Sequence, residues 1–149
     1  MADPCCTYLC SVVACWFGCW FWCKLHNWNN ERTLYHATSR ESACDIEREG
    51  RMRMGSSGSS GGGIYFADTA HNARRKARRG RDAMITARVR LGRTLVTSLL
   101  QQHTFASLQL QGYDSVRCTR FNGDEYVVYS SEQVTILSVE YDRETCAVL

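Results

Sequence analysis

No basic residue precedes Lys24, and no charge of either sign lies between Cys5 and Cys23. That stretch lacks the basic n-region of a secretory signal peptide, and no small-residue cleavage pattern follows it. Its six cysteines (Cys5, Cys6, Cys10, Cys15, Cys19 and Cys23) have no Cys-x-x-Cys spacing and no interleaved His before His26, so a zinc pattern is poorly served and no metal is expected. A disulfide framework is also disfavoured. Only Cys44, Cys118 and Cys146 fall in the rest of the chain, too few to staple it, and they read as reduced thiols of a cytosolic domain. There is no internal repeat. With 149 residues, the chain has room for one modest domain.

What the first segment does have is apolar and aromatic surface. Between Cys5 and Cys23 only Thr7, Ser11 and Gly18 are neither apolar nor aromatic. As a helix this run would be about 29 Å long, close to the roughly 30 Å hydrocarbon core of a bilayer. Trp16, Trp20 and Trp22 sit towards its C-terminal end and Lys24 follows, as expected of an interfacial belt with a cytoplasmic flank. Residues 1–23 are therefore a membrane-anchor candidate acting through residues 5–23, with the following domain facing the cytoplasm. S-acylation of the cysteines is a second route to the membrane. A buried or partner-facing helix of a soluble cytoplasmic protein is the alternative. Residues 24–31 read as a polar linker and residues 32–149 as the domain.

Within the domain, Arg32 to Ala37 reads as a strand. Thr38-x-x-Glu41 reads as a capping box opening a helix that Gly50 stops. Gly55 to Gly63 is almost wholly Gly and Ser and reads as a native flexible loop. A strand is expected over Ile64 to Ala67, then a helix capped by Asp68 or Thr69 and ending at Gly80. Ala83 to Leu91, Thr94 to Thr97, Ser115 to Cys118, Glu125 to Tyr129 and Val134 to Tyr141 are strand-like. Asn122-Gly123 is a turn, and Ser98 to Leu110 is ambiguous, with a short helix as one reading. Strands outnumber helices and the helices come early, an α+β pattern without the alternation of a doubly wound sheet.

Three short motifs carry residues suited to chemistry: Leu34-Tyr35-His36-Ala37-Thr38, Gly62-Gly63-Ile64-Tyr65-Phe66-Ala67, and Asp124-Glu125-Tyr126-Val127-Val128-Tyr129. Each sets one polar residue at the edge of a strand-like run. A carboxylate such as Glu125 can stabilise positive charge developing on a sugar. A flat amphipathic ring such as Tyr65 can stack on a cationic heterocycle. His36 can both donate and accept hydrogen bonds, and Gly62 and Gly63 permit close backbone approach. Taken singly, each has a bland reading: a solvated Glu, a core Tyr, a structural His.

In order and flanking residues the three motifs together resemble the His-Tyr-Glu signature of the poly(ADP-ribose) polymerase family over roughly Arg32 to Tyr141. The resemblance implies an ADP-ribosyltransferase fold, a split antiparallel-rich sheet with two or three helices. It also implies an enzyme that cleaves NAD at the nicotinamide-ribose bond and transfers ADP-ribose to a protein or nucleic-acid acceptor. Catalysis would rest on Glu125, His36 and Tyr65, and NAD binding on His36, Ala37, Thr38, Gly63 and Tyr65. The chain departs from the family at Ala37, where Gly is usual. It departs again at Ala73 and Lys76, where a Ser and a second aromatic hold nicotinamide in most members. With no accessory helical subdomain, these departures favour mono-ADP-ribosylation. The departures at Ala73 and Lys76 also motivate one alternative, a catalytically inactive NAD-, ADP-ribose- or protein-binding domain of the same fold; a further alternative is an RNA 2′-phosphotransferase. The last draws on the basic run Arg74 to Arg81, which carries six of the 18 Lys and Arg residues. That run reads equally as a solvated helix face, a nucleic-acid surface or a patch for anionic lipid.

Overall fold

The structure is a computed structural model that describes residues 30–78, 80–99, 101–120 and 122–142. The membrane-anchor candidate and most of the linker lie outside the described residues. Among the described residues no helix is long and apolar enough to cross a membrane.

Over the described residues the fold is α+β, a seven-stranded mixed sheet with three α-helices. The strands are β1 (Glu31–Thr38), β2 (Ile64–Ala67), β3 (Ala83–Arg90), β4 (Thr94–Thr97), β5 (Ser115–Cys118), β6 (Glu125–Val128) and β7 (Val134–Tyr141). The helices are α1 (Arg40–Glu49), α2 (Ala70–Lys76) and α3 (Phe105–Leu110). The strand order is β4-β5-β6-β2-β1-β3-β7. Only β4 and β5 run parallel, and the other neighbours are antiparallel.

Local chemistry sets most boundaries. Strand β1 begins one residue inside the expected linker, at Glu31. The cap of α1 is Ser39 and not Thr38: its Oγ accepts from the Ser42 backbone N–H at 3.3 Å. Thr38 is drawn into β1 by pairing with Ala83, which moves the helix start one residue on. Gly50 ends α1 at φ 65°, a left-handed conformation that costs a residue without Cβ little. Helix α2 has Thr69 as its cap but stops at Lys76, with the extended Ala77 closing it, and does not reach Gly80. The ambiguous stretch resolves into α3, where Thr104 and Ser107 form a reciprocal capping box.

The pleat sends successive side chains to opposite faces. One face holds the larger core. Leu34, Ile64, Phe66, Ile85, Ala87, Val89, Tyr126 and Val128 pack there with Met52 and Leu91, beneath Ile46 of α1. The other face carries two smaller clusters. Ala37, Ala67 and Met84 meet Ala73 of α2, while Val116, Cys118, Val127 and Tyr129 meet Leu108 of α3.

The sheet is nearly two sheets. β1, β3 and β7 are each eight residues long and pair along their length. β2, β4, β5 and β6 are each four residues long. The halves meet where β1 passes β2, and only Tyr35 and Ala67 pair there. Continued antiparallel pairing would set Ala37 opposite Tyr65, but the strands have parted by then.

Candidate active site

The seam between β1 and β2 gathers several of the expected residues. The His36 ring reaches across it, with Nδ1 2.6 Å from the Tyr65 carbonyl oxygen. A carbonyl can only accept, so Nδ1 carries the hydrogen; in the neutral ring Nε2 is then left with a lone pair. Burial pushes the His36 pKa below its usual value, against the carbonyl bond, which pulls it up. The neutral ring is therefore the form present at pH 7. An edge-to-face contact with Phe66, centroids 6.0 Å apart, fixes the ring plane. The side-chain N–H takes the acceptor that a backbone ladder would otherwise use. The seam thus parts without leaving that carbonyl unpaired.

Ala37 and Thr38 are buried on the β3 side of the seam, paired with Met84 and Ala83. The Ala37 methyl packs with Ala67, Ala73 and Met84. Ala73, one of the two helix departures, therefore fills space with its methyl beside Ala37 and presents no hydroxyl.

Tyr65 and Glu125 share one face, since Tyr65 pairs with Val127 and Ala67 with Glu125. The Gly/Ser loop lies across both. Tyr65 Oη donates to the Gly61 carbonyl at 2.6 Å and accepts from the Ser60 backbone N–H at 2.9 Å. Burial raises the Tyr65 pKa, and the nearby Glu125 charge raises it further. The half-buried ring meets cluster residues around Val127, while its hydroxyl end is held by the loop.

The loop is tied most deeply at Ser60, which is fully buried. Its carbonyl accepts from Tyr129 Oη at 2.7 Å and from the His103 backbone N–H at 3.1 Å. Its Oγ lies 3.1 Å from Cys118 Sγ. Glycine is needed where the loop closes: at Gly61, with φ 96°, a Cβ would sit 2.1 Å from the His103 carbonyl oxygen. At Gly63 a Cβ would come within 2.7 Å of Val127 Cγ1, so the protein's own β6 makes the close approach there.

Glu125 opens β6. Its Oε2 accepts from Ser59 Oγ at 3.0 Å, and Arg120 Nη2 stands 3.8 Å away. Arg120 Nη2 is buried without a hydrogen-bond partner. Lys76 donates to the Gly123 and Asp124 carbonyls at 2.6 and 3.2 Å. Burial lowers its pKa, and the Glu125 charge is the largest influence opposing that. Two cations thus flank one carboxylate.

Part of the basic run is spoken for. Arg74 forms a bidentate pair with Asp142, Arg75 bonds the Asn122 carbonyl, and Lys76 holds the next two carbonyls. Three of its cations therefore brace the β5–β6 turn and β7 and do not form a free helix face.

Sequence reasoning missed Ser59, Ser60 and Arg120. Nothing distinguishes Ser59 from Ser56 or Ser57 in a Gly/Ser repeat, and Arg120 carries no motif. Only their positions in the fold bring them to Glu125 and Cys118. Among the described residues no three His, Cys, Asp or Glu side chains are arranged as metal ligands. No protein-family model matches the chain, and no curated protein matches it.

Proposed function

We propose that the domain has the ADP-ribosyltransferase fold and cleaves NAD at the nicotinamide-ribose bond, passing single ADP-ribose units to an acceptor. The observation that carries this reading is the loop-covered face beside the seam. Tyr65 and Glu125 lie together there, and His36 bonds the Tyr65 carbonyl from the opposite strand. As nicotinamide leaves, positive charge builds on the ribose, and the Glu125 carboxylate stabilises it. In the neutral His36 ring, Nε2 accepts from a ribose hydroxyl of the adenosine half, with Thr38 beside it. The Tyr65 ring and the backbone near Ala37 take the nicotinamide, and Gly63 lets the loop fold close. The cytoplasmic face of a membrane, reached through residues 5–23, is the proposed location.

A second reading draws on Ala73, Lys76 and the tethered Tyr65 hydroxyl: a domain that binds NAD or ADP-ribose without turnover. One experiment separates the two. The full chain is incubated with labelled NAD while nicotinamide release and protein label are followed, with Glu125→Gln and His36→Ala alongside. The transferase reading expects release that collapses in both variants. NAD binding with no release would leave the binding reading standing, and equal release by Glu125→Gln would sink the enzymatic one.

A further inference from the structure

We infer that Ser59 is an acceptor within the chain itself, modified on its hydroxyl by the ADP-ribose that Glu125 helps release. The inference rests on the NAD-cleaving reading and names an acceptor for it.

Four serines lie in the Gly/Ser loop: Ser56, Ser57, Ser59 and Ser60. Ser56 and Ser57 are exposed to solvent. Ser60 is fully buried, with its hydroxyl against Cys118. Ser59 alone of the four donates to a carboxylate, placing its hydrogen on Glu125 Oε2 at 3.0 Å. The next residue, Ser60, donates its backbone N–H to the Tyr65 hydroxyl at 2.9 Å, so Ser59 stands beside both residues assigned to the nicotinamide end of NAD. Its loop is anchored on the far side through the Ser60 carbonyl. Little of its freedom therefore remains to be lost before reaction.

The chemistry balances with NAD as the only co-reactant. Ser59 Oγ bonds C1 of the nicotinamide ribose, and the bond from that carbon to the pyridinium nitrogen breaks. Its electron pair neutralises the pyridinium, which leaves as nicotinamide. The Ser59 proton passes to Glu125. An oxocarbenium-like carbon is so electrophilic that a weak nucleophile suffices, provided a base stands ready for its proton. The product hangs ADP-ribose from the loop that covers the site, so each chain is modified once at this position.

The test uses the full chain with NAD labelled in its adenine half, following nicotinamide release and mapping the label by peptide mass spectrometry. The expected result is label on Ser59 that resists neutral hydroxylamine, as a glycoside does, and falls to background in Ser59→Ala. Ser59→Thr, which keeps a hydroxyl, regains label at that position, and Ser57→Ala labels as the parent does. Label that hydroxylamine removes would be an ester on a carboxylate such as Glu125, and would overturn the proposal. So would nicotinamide release with Ser59 unmodified, an outcome that leaves NAD cleavage intact. With no release at all, the NAD-cleaving reading falls and the proposal with it.

Discussion

The two faces of the sheet are built from different materials. The face under α1 is continuous and apolar, with Leu34, Ile64, Phe66, Ile85, Val89 and Val128 in one cluster. The opposite face is broken into two clusters of smaller or part-polar residues, separated by Tyr65, Glu125 and the Gly/Ser loop. A pleated strand feeds both faces from one sequence, so β2 contributes Ile64 and Phe66 to the first and Tyr65 to the second. The α1 face holds the larger apolar core, and the other holds the polar groups.

That division is tested first by Phe66→Ala. Emptying a buried phenyl site should cost about 3–5 kcal/mol, read as a lowered midpoint in chemical or thermal unfolding. A loss below about 1 kcal/mol would mean that the α1 face is not the main core. Glu125→Gln probes the other face. Nicotinamide release should fall roughly 10²–10³-fold, as when one preorganised charge-stabilising group is removed, while the unfolding midpoint stays near the parent's. A large loss of stability instead would make Glu125 a structural residue.

Gly63→Ala acts at the junction of loop and site face. The new methyl would lie 2.7 Å from Val127 Cγ1 and 3.0 Å from the Val128 carbonyl oxygen. An overpacking cost of about 1–3 kcal/mol follows, checked by the same unfolding measurement. An unchanged midpoint would show that the loop yields easily.

The smallest effect concerns His36 and pH. Burial lowers its folded-state pKa from the ordinary 6.5, so the unfolded chain takes up the proton first as the solution is acidified. The stability linked to the neutral ring is complete above the unfolded value and is lost as pH falls towards the folded one. Unfolding curves across that window should fall more steeply for the parent than for His36→Gln, which keeps a donor for the Tyr65 carbonyl. Parallel slopes would place the ring in solvent.

Some of these features were legible in advance. Ile64–Ala67, Thr94–Thr97, Ser115–Cys118 and Val134–Tyr141 are strands with the boundaries that alternation and flanking glycines suggest. Gly50 stops its helix. These are local effects, settled by φ, side-chain shape and period 2. Helix α2 is shorter than its helical-looking sequence: the backbone turns extended at Ala77, and Arg74, Arg75 and Lys76 in its last turn bond Asp142 and the Asn122–Asp124 carbonyls, partners distant in sequence. The Ser39 cap displaced Thr38 for a similar reason, since pairing with Ala83 outweighs an alternative start to the helix.

By itself the sequence determined most of the element types, the α+β class, the three motifs and the residue types suited to sugar-charge chemistry, because propensity and periodicity act between near neighbours. Tertiary structure alone decided that β1 and β2 part at Tyr65, that His36 bridges the gap, and that Ser59 rather than Ser56 or Ser57 lies on Glu125. Those contacts join residues 29 and 66 positions apart. Their register depends on how two half-sheets and a tethered loop pack together, and no local preference encodes that.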